Sequence, residues 1–484
     1  MSISSVMTTA LSGLAATGRA AEVVSSNISN ALTEGYGRRE LEVSARALGG
    51  VGGGVEVDAE RRVVDKALLG DLRLSDAALG EASTRAGFWN AIERAAGTPD
   101  EPGSLSGRVA ALESALIEAG SRPDSRARLA RVVEMAAGLA GKLSGLSDEV
   151  QQARMEAESG IARAVDRIND GLGRVADLNE QILRQVSRGR QPLSLMDKRQ
   201  QEIDALAREM PLRVREGENG QVALHAGGAV LLEGGRSARL GFAPAGKITA
   251  DMTRESGALG GLTLDGRSVA TGADGPLSGG ALAARFALRD DLAVTAQAGL
   301  DGLAHDLLAR FETPEADPTR PSGAPGLFTD AGAALDPART AGLASRLELN
   351  VAVDPDAGGA LWRLRDGLGA MAPGPVGDGA GLARLAGALG EVAPSAGATP
   401  GDPARSFAGH AGAALSDIGV ARLDAEDDAA HAAGRSESLR GMLLEKGVDT
   451  DAELQKLLTI ERAYAANARV LQTADDMLRR IMEI

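Results

Sequence analysis

Four histidines, His225, His305, His410 and His431, are the first residues to test for chemistry, and they lie too far apart for a metal-ligand spacing. His305-Asp306 is an isolated pair on a predicted helix and reads as a solvated helix position. The acidic pairs Asp290-Asp291, Asp427-Asp428 and Asp475-Asp476 have no neighbouring ligand pattern and read as solvated faces. Cysteine is absent, which excludes disulfides, thiolate nucleophiles and Cys-zinc sites. The run Gly49-Gly50-Val51-Gly52-Gly53-Gly54 lacks the Gly-Lys-Ser/Thr that completes a phosphate cradle, so it reads as a hinge. No nucleophile elbow or dinucleotide fingerprint occurs. A cell-wall hydrolase would need a paired-carboxylate cleft, and no candidate for one stands out. The sequence therefore assigns no catalytic residue, cofactor or metal, and points away from an enzyme.

Composition narrows the classes further. The net charge of −15 argues against a nucleic-acid surface. Aromatic residues make up 2% of the chain, so Ala, Gly and Leu must do the packing. A length of 484 residues implies about two to four domains. No apolar run is long enough to span a membrane, so no membrane insertion is expected. The first basic residue is Arg19 and no cleavable signal peptide is visible, so an exported chain would need another route.

The elements that carry the strongest pattern lie at the two ends. Ile3, Met7, Ala10, Leu14, Thr17, Ala21, Val24 and Ile28 are spaced by alternating fours and threes. Leu457, Ile460, Tyr464, Asn467, Leu471, Ala474, Leu478 and Ile481 repeat that spacing up to the end of the sequence. This is the pattern of helices packed along a seam, and Asn467 is a polar seam position of the kind that sets register. Either helix alone could be an ordinary amphipathic surface helix. The pair needs a cover, which each other or neighbouring copies can supply. That points to an assembly subunit.

The same ends carry a resemblance. Ala10-Leu11-Ser12-Gly13-Leu14, Asn27-Ile28-Ser29-Asn30 and Thr33-Glu34-Gly35-Tyr36 resemble the N-terminal signature of the bacterial flagellar rod, hook and hook-associated axial family. Leu457-Leu458-Thr459-Ile460-Glu461-Arg462-Ala463-Tyr464-Ala465-Ala466-Asn467-Ala468 resembles its C-terminal motif. Glu34 departs from the family's common Pro at that place, which removes a stiffener from the turn. Val175 to Ile182, Leu195 to Asp204, and Gly447-Val448-Asp449 before Ala452-Glu453-Leu454 are similar to the hook-associated branch that joins hook to filament. The matches cover the first 240 residues or so and the last fifty, whereas 313–430 matches only loosely.

The interior predicts an elongated, mainly α chain with a smaller β part (α+β). Helices are expected over 64–97 and 105–119. Residues 123–188 contain no internal proline. Leu129, Val132, Ala136, Leu139, Leu143, Leu146, Val150, Ala153 and Ala157 form one heptad run; Ile161, Ala164, Ile168, Leu172, Val175, Asn179, Ile182 and Val186 continue it after one slip. Such a helix would span on the order of 100 Å. Its six glycines imply close packing or a kink near the slip. Alternation at 211–272 predicts β-hairpins. Leu347, Leu349, Val351 and Val353 alternate as a strand would, and 382–389 reads as a short helix. The Ala-rich helix at 405–446 is assigned as a partner of the 123–188 rod. The resulting division is a terminal coiled-coil domain of 1–48 and 436–484 and a shaft of 49–210, 279–312 and 404–435. A β-rich module of 211–278 and a Pro/Gly-rich outer region of 313–403, either a small domain or loose loops, complete it.

The resemblance implies a structural subunit of the extracellular flagellum, exported by the flagellar type III route and assembled as a ring of copies at the hook–filament junction. Implied partners are the hook protein, the next hook-associated protein on the filament side and a cytoplasmic export chaperone. The expected assembly residues are Leu11, Leu14, Ile28, Asn30, Tyr36, Leu457, Ile460, Tyr464, Asn467, Leu471 and Leu478. The terminal helices are expected to be largely disordered in a free monomer, since isolated helices are marginal in water. The competing readings are another axial member (distal rod or hook), a cell-wall hydrolase and an export adaptor.

Overall fold

The computed structural model describes residues 3–48, 51–272, 274–395 and 403–482. Helix α1 (Ile3–Ser29) leads through a turn into an antiparallel ribbon, β1 (Arg38–Leu48) and β2 (Val51–Val63). The ribbon corrects the expected hinge: Gly52, Gly53 and Gly54 belong to β2, while Gly49 and Gly50 lie outside the described residues. Its pairing runs from Arg38 opposite Val63 to Leu48 opposite Val51, with irregularities that lend it twist.

Helix α2 (Lys66–Ala96) is N-capped by Asp65 and α3 (Leu105–Ser121) by Ser104. Helix α4 (Arg126–Val186) runs unbroken for 61 residues, about 90 Å at ~1.5 Å per residue. All of its predicted heptad residues from Leu129 to Ile182 are buried except Ala153, which is half-buried. Two cores share this spine. Leu129 to Ala157 lie in one with α2 and α3, and Ile161 to Val175 lie in the other. The predicted slip of register falls at the changeover.

Helix α5 (Leu193–Ala207) folds back on α4, and Gly171 permits the approach, since a Cβ there would sit 2.7 Å from Leu206 Cδ2. Two small antiparallel sheets follow. One is β3 (Arg213–Glu216), β4 (Val222–Ala226), β5 (Ala229–Glu233) and β6 (Arg236–Ser237); the other is β7 (Leu240–Gly241), β8 (Leu262–Leu264) and β9 (Arg267–Val269). They bury Leu224, Leu231, Leu232 and Leu262 against the second half of α4. Helices α6 (Gly280–Ala287) and α7 (Ala293–Phe311) are joined by a π-helical segment, Leu288–Leu292.

The Pro/Gly-rich stretch is packed rather than loose. β10 (Phe328–Asp330) pairs with β11 (Leu347–Leu349), and α8 (Arg363–Asp366) and α9 (Ala380–Gly390) follow. Phe328, Leu347, Leu364, Leu382 and Leu389 enter the same core as the first half of α4. The strand expected to reach Val353 stops at Leu349, because buried Asn350 turns the chain: its Oδ1 accepts from Ala352 N and its carbonyl from Val353 N, while Nδ2 anchors it to Gly326 O. Residues 396–402 of the expected outer region lie outside the described residues.

Helix α10 (Phe407–Glu445) packs on α2, not on α4 as expected from the sequence. Arg422–Glu93, Arg85–Asp428, Arg440–Asp76 and Lys446–Asp65 pair the two helices antiparallel along their length. The buried stripe of α4 is already filled by α3, α5, α7 and the sheets, leaving α2 as the partner for the outgoing chain. Helix α11 (Thr450–Met482) then returns alongside α1; the last two residues of its predicted run lie outside the described residues.

Candidate functional site

The terminal pair α1–α11 is the site that the sequence pattern points to. At its tightest approach Gly13 faces Asn467: a Cβ on Gly13 would lie 2.8 Å from the Asn467 amide nitrogen. The buried face of α1 is made of Ala10, Gly13, Ala16, Val23, Val24 and Asn27. Small residues let the backbones close up, so the larger heptad side chains sit on the flank. Leu14 and Ile28 are half-buried, as are Leu457, Ile460, Asn467, Leu471 and Leu478 on α11. Leu11 is 62% exposed and Tyr464 51% exposed. Leu454, Leu458, Val470, Met477 and Ile481 add further exposed apolar surface to α11.

Asn30 and Tyr36 lie off this seam. Asn30 Nδ2 donates to Ser26 O at 2.9 Å and closes the last turn of α1. Tyr36 belongs to a polar knot centred on Asn27, which is fully buried. Asn27 Nδ2 donates to Arg39 O at 2.9 Å and to Glu453 Oε2 at 3.1 Å. Its Oδ1 accepts from the Tyr36 hydroxyl and from Arg39 N, both at 2.9 Å. One side chain thus ties α1, the ribbon and α11. Burial pushes the Tyr36 phenol above its usual 10, and the Arg39 guanidinium lies 5.2 Å from the ring centre.

A second set of bonds fixes this knot to the shaft. Asp197 of α5 accepts from Gly37 N at 3.0 Å and from Arg62 Nε at 2.6 Å, and Arg39 lies 3.5 Å from its other oxygen. Arg62 also donates to Gly35 O and Gln200, and Gln201 donates to Glu34 O at 2.6 Å. Gly35 has φ +76°, the left-handed turn that glycine adopts without strain. Asn27, Asp197 and Glu453 fall inside the motifs that carry the resemblance, but neither they nor Arg62 are among the expected assembly residues. A further local signal is that Asn27 is a polar residue following Val23 and Val24 on the inward face of an apolar helix. Among the described residues no group of three or more His, Asp or Glu side chains is arranged to hold a metal. The geometry orients two helices on a rod.

The family described as the flagellar hook-associated protein FlgK helical domain matches residues 89–327. The flagella basal body rod protein family matches 7–36, and the flagellar basal body rod FlgEFG protein C-terminal family matches 439–484. The chain is similar to flagellar hook-associated protein 1 through its helical domain, and to the flagellar rod proteins at both ends. Flagellar hook-associated protein 1 of Salmonella typhimurium (strain LT2) is 27% identical over 260 residues, 52% of this chain and 46% of that protein. Its counterpart in Escherichia coli (strain K12) is 25% identical over 286 residues, 56% of this chain and 51% of that protein. The chain thus spans about half the length of these curated relatives. The solved flagellar hook junction protein FlgK from Burkholderia pseudomallei aligns over 54% of this chain and 47% of that chain, at 20% identity and a TM-score of 0.45. In family terms, the helical-domain match contains the whole of α4, and the two rod-type matches fall on α1 and α11.

Proposed function

We propose that this chain is a structural subunit of the bacterial flagellum that forms the junction ring between hook and filament. The observation that carries the reading is the hook-associated helical-domain match over 89–327, combined with rod-type matches at both ends. The uncovered apolar residues of the terminal pair support it, because an extended exposed stripe marks an interaction surface. Neighbouring copies, the hook protein and the next hook-associated protein are the partners on this reading. Leu11, Leu14, Ile28, Leu457, Ile460, Tyr464, Asn467, Leu471 and Leu478 form the contact surface. Asn30 and Tyr36 act by setting its orientation. The working units are the terminal pair with its ribbon, a shaft that includes the Pro/Gly-rich stretch, and the β module.

The chain reaches its place outside the cell by the flagellar type III route, with a cytoplasmic chaperone covering α11 beforehand. A pull-down with residues 454–484 that recovers no helical partner would count against the chaperone. The assembly role is tested by clean deletion in the source bacterium. Hooks without filaments, with flagellin in the medium, are the expected result. Missing hooks would move the protein to rod or hook, and normal swimming would overturn the reading.

A further inference from the structure

Arg199 of α5 is 8% exposed, and among the described residues no carboxylate is hydrogen-bonded to it. Its Nη1 donates to Asn179 Oδ1 and to Gly220 O, both at 2.7 Å, and both acceptors are neutral. The nearby carboxylates are already engaged: Asp197 by Arg62 and Arg39, Asp204 by Arg73, and Glu216 by Lys66. Burial, together with the Arg62 charge, lowers the Arg199 pKa to about 10, so the guanidinium is still a cation at neutral pH. A buried cation hydrogen-bonded only to neutral acceptors is costly; the exposed Glu216 carboxylate, shared with Lys66, offsets part of that cost, and a bound counter-ion offsets more.

The space for one is present. Arg62, Lys66, Arg73 and Arg199, with the single carboxylate of Glu216, line a cavity of about 130 Å³ between the end of β2, α2, α5 and the β3–β4 hairpin. Lys66 and Glu216 are exposed, while Arg73 and Arg199 lie deep. A space of that size admits several waters or one tetrahedral ion. We propose that this cavity binds a small free oxyanion, phosphate or sulfate, with Arg199 as the principal donor and Lys66 beside it. The ion ties the ribbon and α2 to α5 and the β module, at the joint that the Asp197 bonds also hold.

The test is calorimetric titration of the purified full-length chain with sodium phosphate and with sodium sulfate, against chloride at matched ionic strength. Saturable binding of one ion per chain is expected, with a thermal midpoint that rises with its concentration. Arg199→Met is expected to weaken binding by roughly ten-fold or more. Lys66→Glu changes an exposed side chain, so it should fold; its affinity is expected to fall by roughly several-fold. Absence of saturable binding, or unchanged affinity in either folded variant, would overturn the proposal. Tighter binding of glycerol 3-phosphate than of inorganic phosphate would overturn the assignment to a free ion.

Discussion

Replacing Asn27 by Ala should loosen the terminal pair while leaving the shaft intact. The substitution removes two donated and two accepted hydrogen bonds and leaves Arg39 N, Arg39 O, the Tyr36 hydroxyl and Glu453 Oε2 short of a partner. A buried polar group left unpaired costs about 1–3 kcal/mol, with charged groups at the upper end. These costs are not additive, because Tyr36 keeps its contact with Ser26 and Glu453 keeps Lys456. A net loss of about 3 kcal/mol is therefore a reasonable sum. The loss should act locally, since α1 and α11 are held mainly by each other, the ribbon and this knot. Amide hydrogen exchange is the assay, because it resolves local opening from global unfolding. Amides of α1 and α11 that exchange through opening of the pair should exchange roughly 100-fold faster. Those of α4 should keep their protection, since one face of that helix is buried from Leu129 to Ile182. Equal protection in α1, or a matching loss in α4, would refute the idea that Asn27 fixes the pair to the rod.

Other perturbations separate stability from assembly. Leu11→Asp should leave thermal unfolding of the monomer unchanged and impair filament attachment, since Leu11 is exposed; normal filaments would remove it from the contact surface. Leu14→Asp or Leu471→Asp alters half-buried positions and should impair both; unimpaired assembly in either would sink the seam. Glu158→Ala strips a partner from Arg289, which is fully buried, and should cost about 3 kcal/mol in a urea titration, as breaking a buried pair does. The Arg365 hydrogen bond holds the Asp366 carboxyl below its ordinary 3.8, so the folded state favours the charged form. That contribution is full above the ordinary carboxylate range and is lost as the pH falls through it towards the folded value. Asp366→Asn should flatten that part of the acid-unfolding curve, and an unchanged curve would argue against the pair.

Much of the scaffold was legible because it depends on period. The heptad residues of α4 could be counted, and they are buried in that order. Even the slip of register has a physical counterpart. Between Ala153 and Ile161 the helix buries Arg154 and Glu158. Arg154 donates to Arg289 O, Thr249 O and Met252 O, while Glu158 accepts from Arg289 and Ala245 N. Helix partnering was less legible. The Ala-rich α10 carries little preference for one neighbour in its apolar pattern; its alignment on α2 is reinforced by ion pairs between residues about 330–380 positions apart, which no local window contains. The β1–β2 ribbon was hidden by its glycines, which read locally as a break.

The joint shows why a signature can be read correctly while its purpose is missed. Tyr36 is one of the expected assembly residues, and Asn27 and Gly35 stand in the same motifs. In the fold these residues join Arg39, Arg62, Asp197 and Glu453, so their role is angular. A chain with so few aromatic residues has little bulky apolar surface to lock a rod against a helix pair, and an apolar contact is non-directional. Hydrogen bonds have preferred directions, and a buried set of them fixes an angle that Ala and Leu packing would leave loose. The exposed stripe on α1 and α11 can meet equivalent stripes on neighbouring copies only if every subunit presents it at the same angle. On the proposed ring assembly, the polar joint would control register between subunits although the joint itself is buried within one chain. Asn27→Ala and Leu11→Asp should therefore both impair filament attachment, but only Asn27→Ala should speed exchange in the monomer.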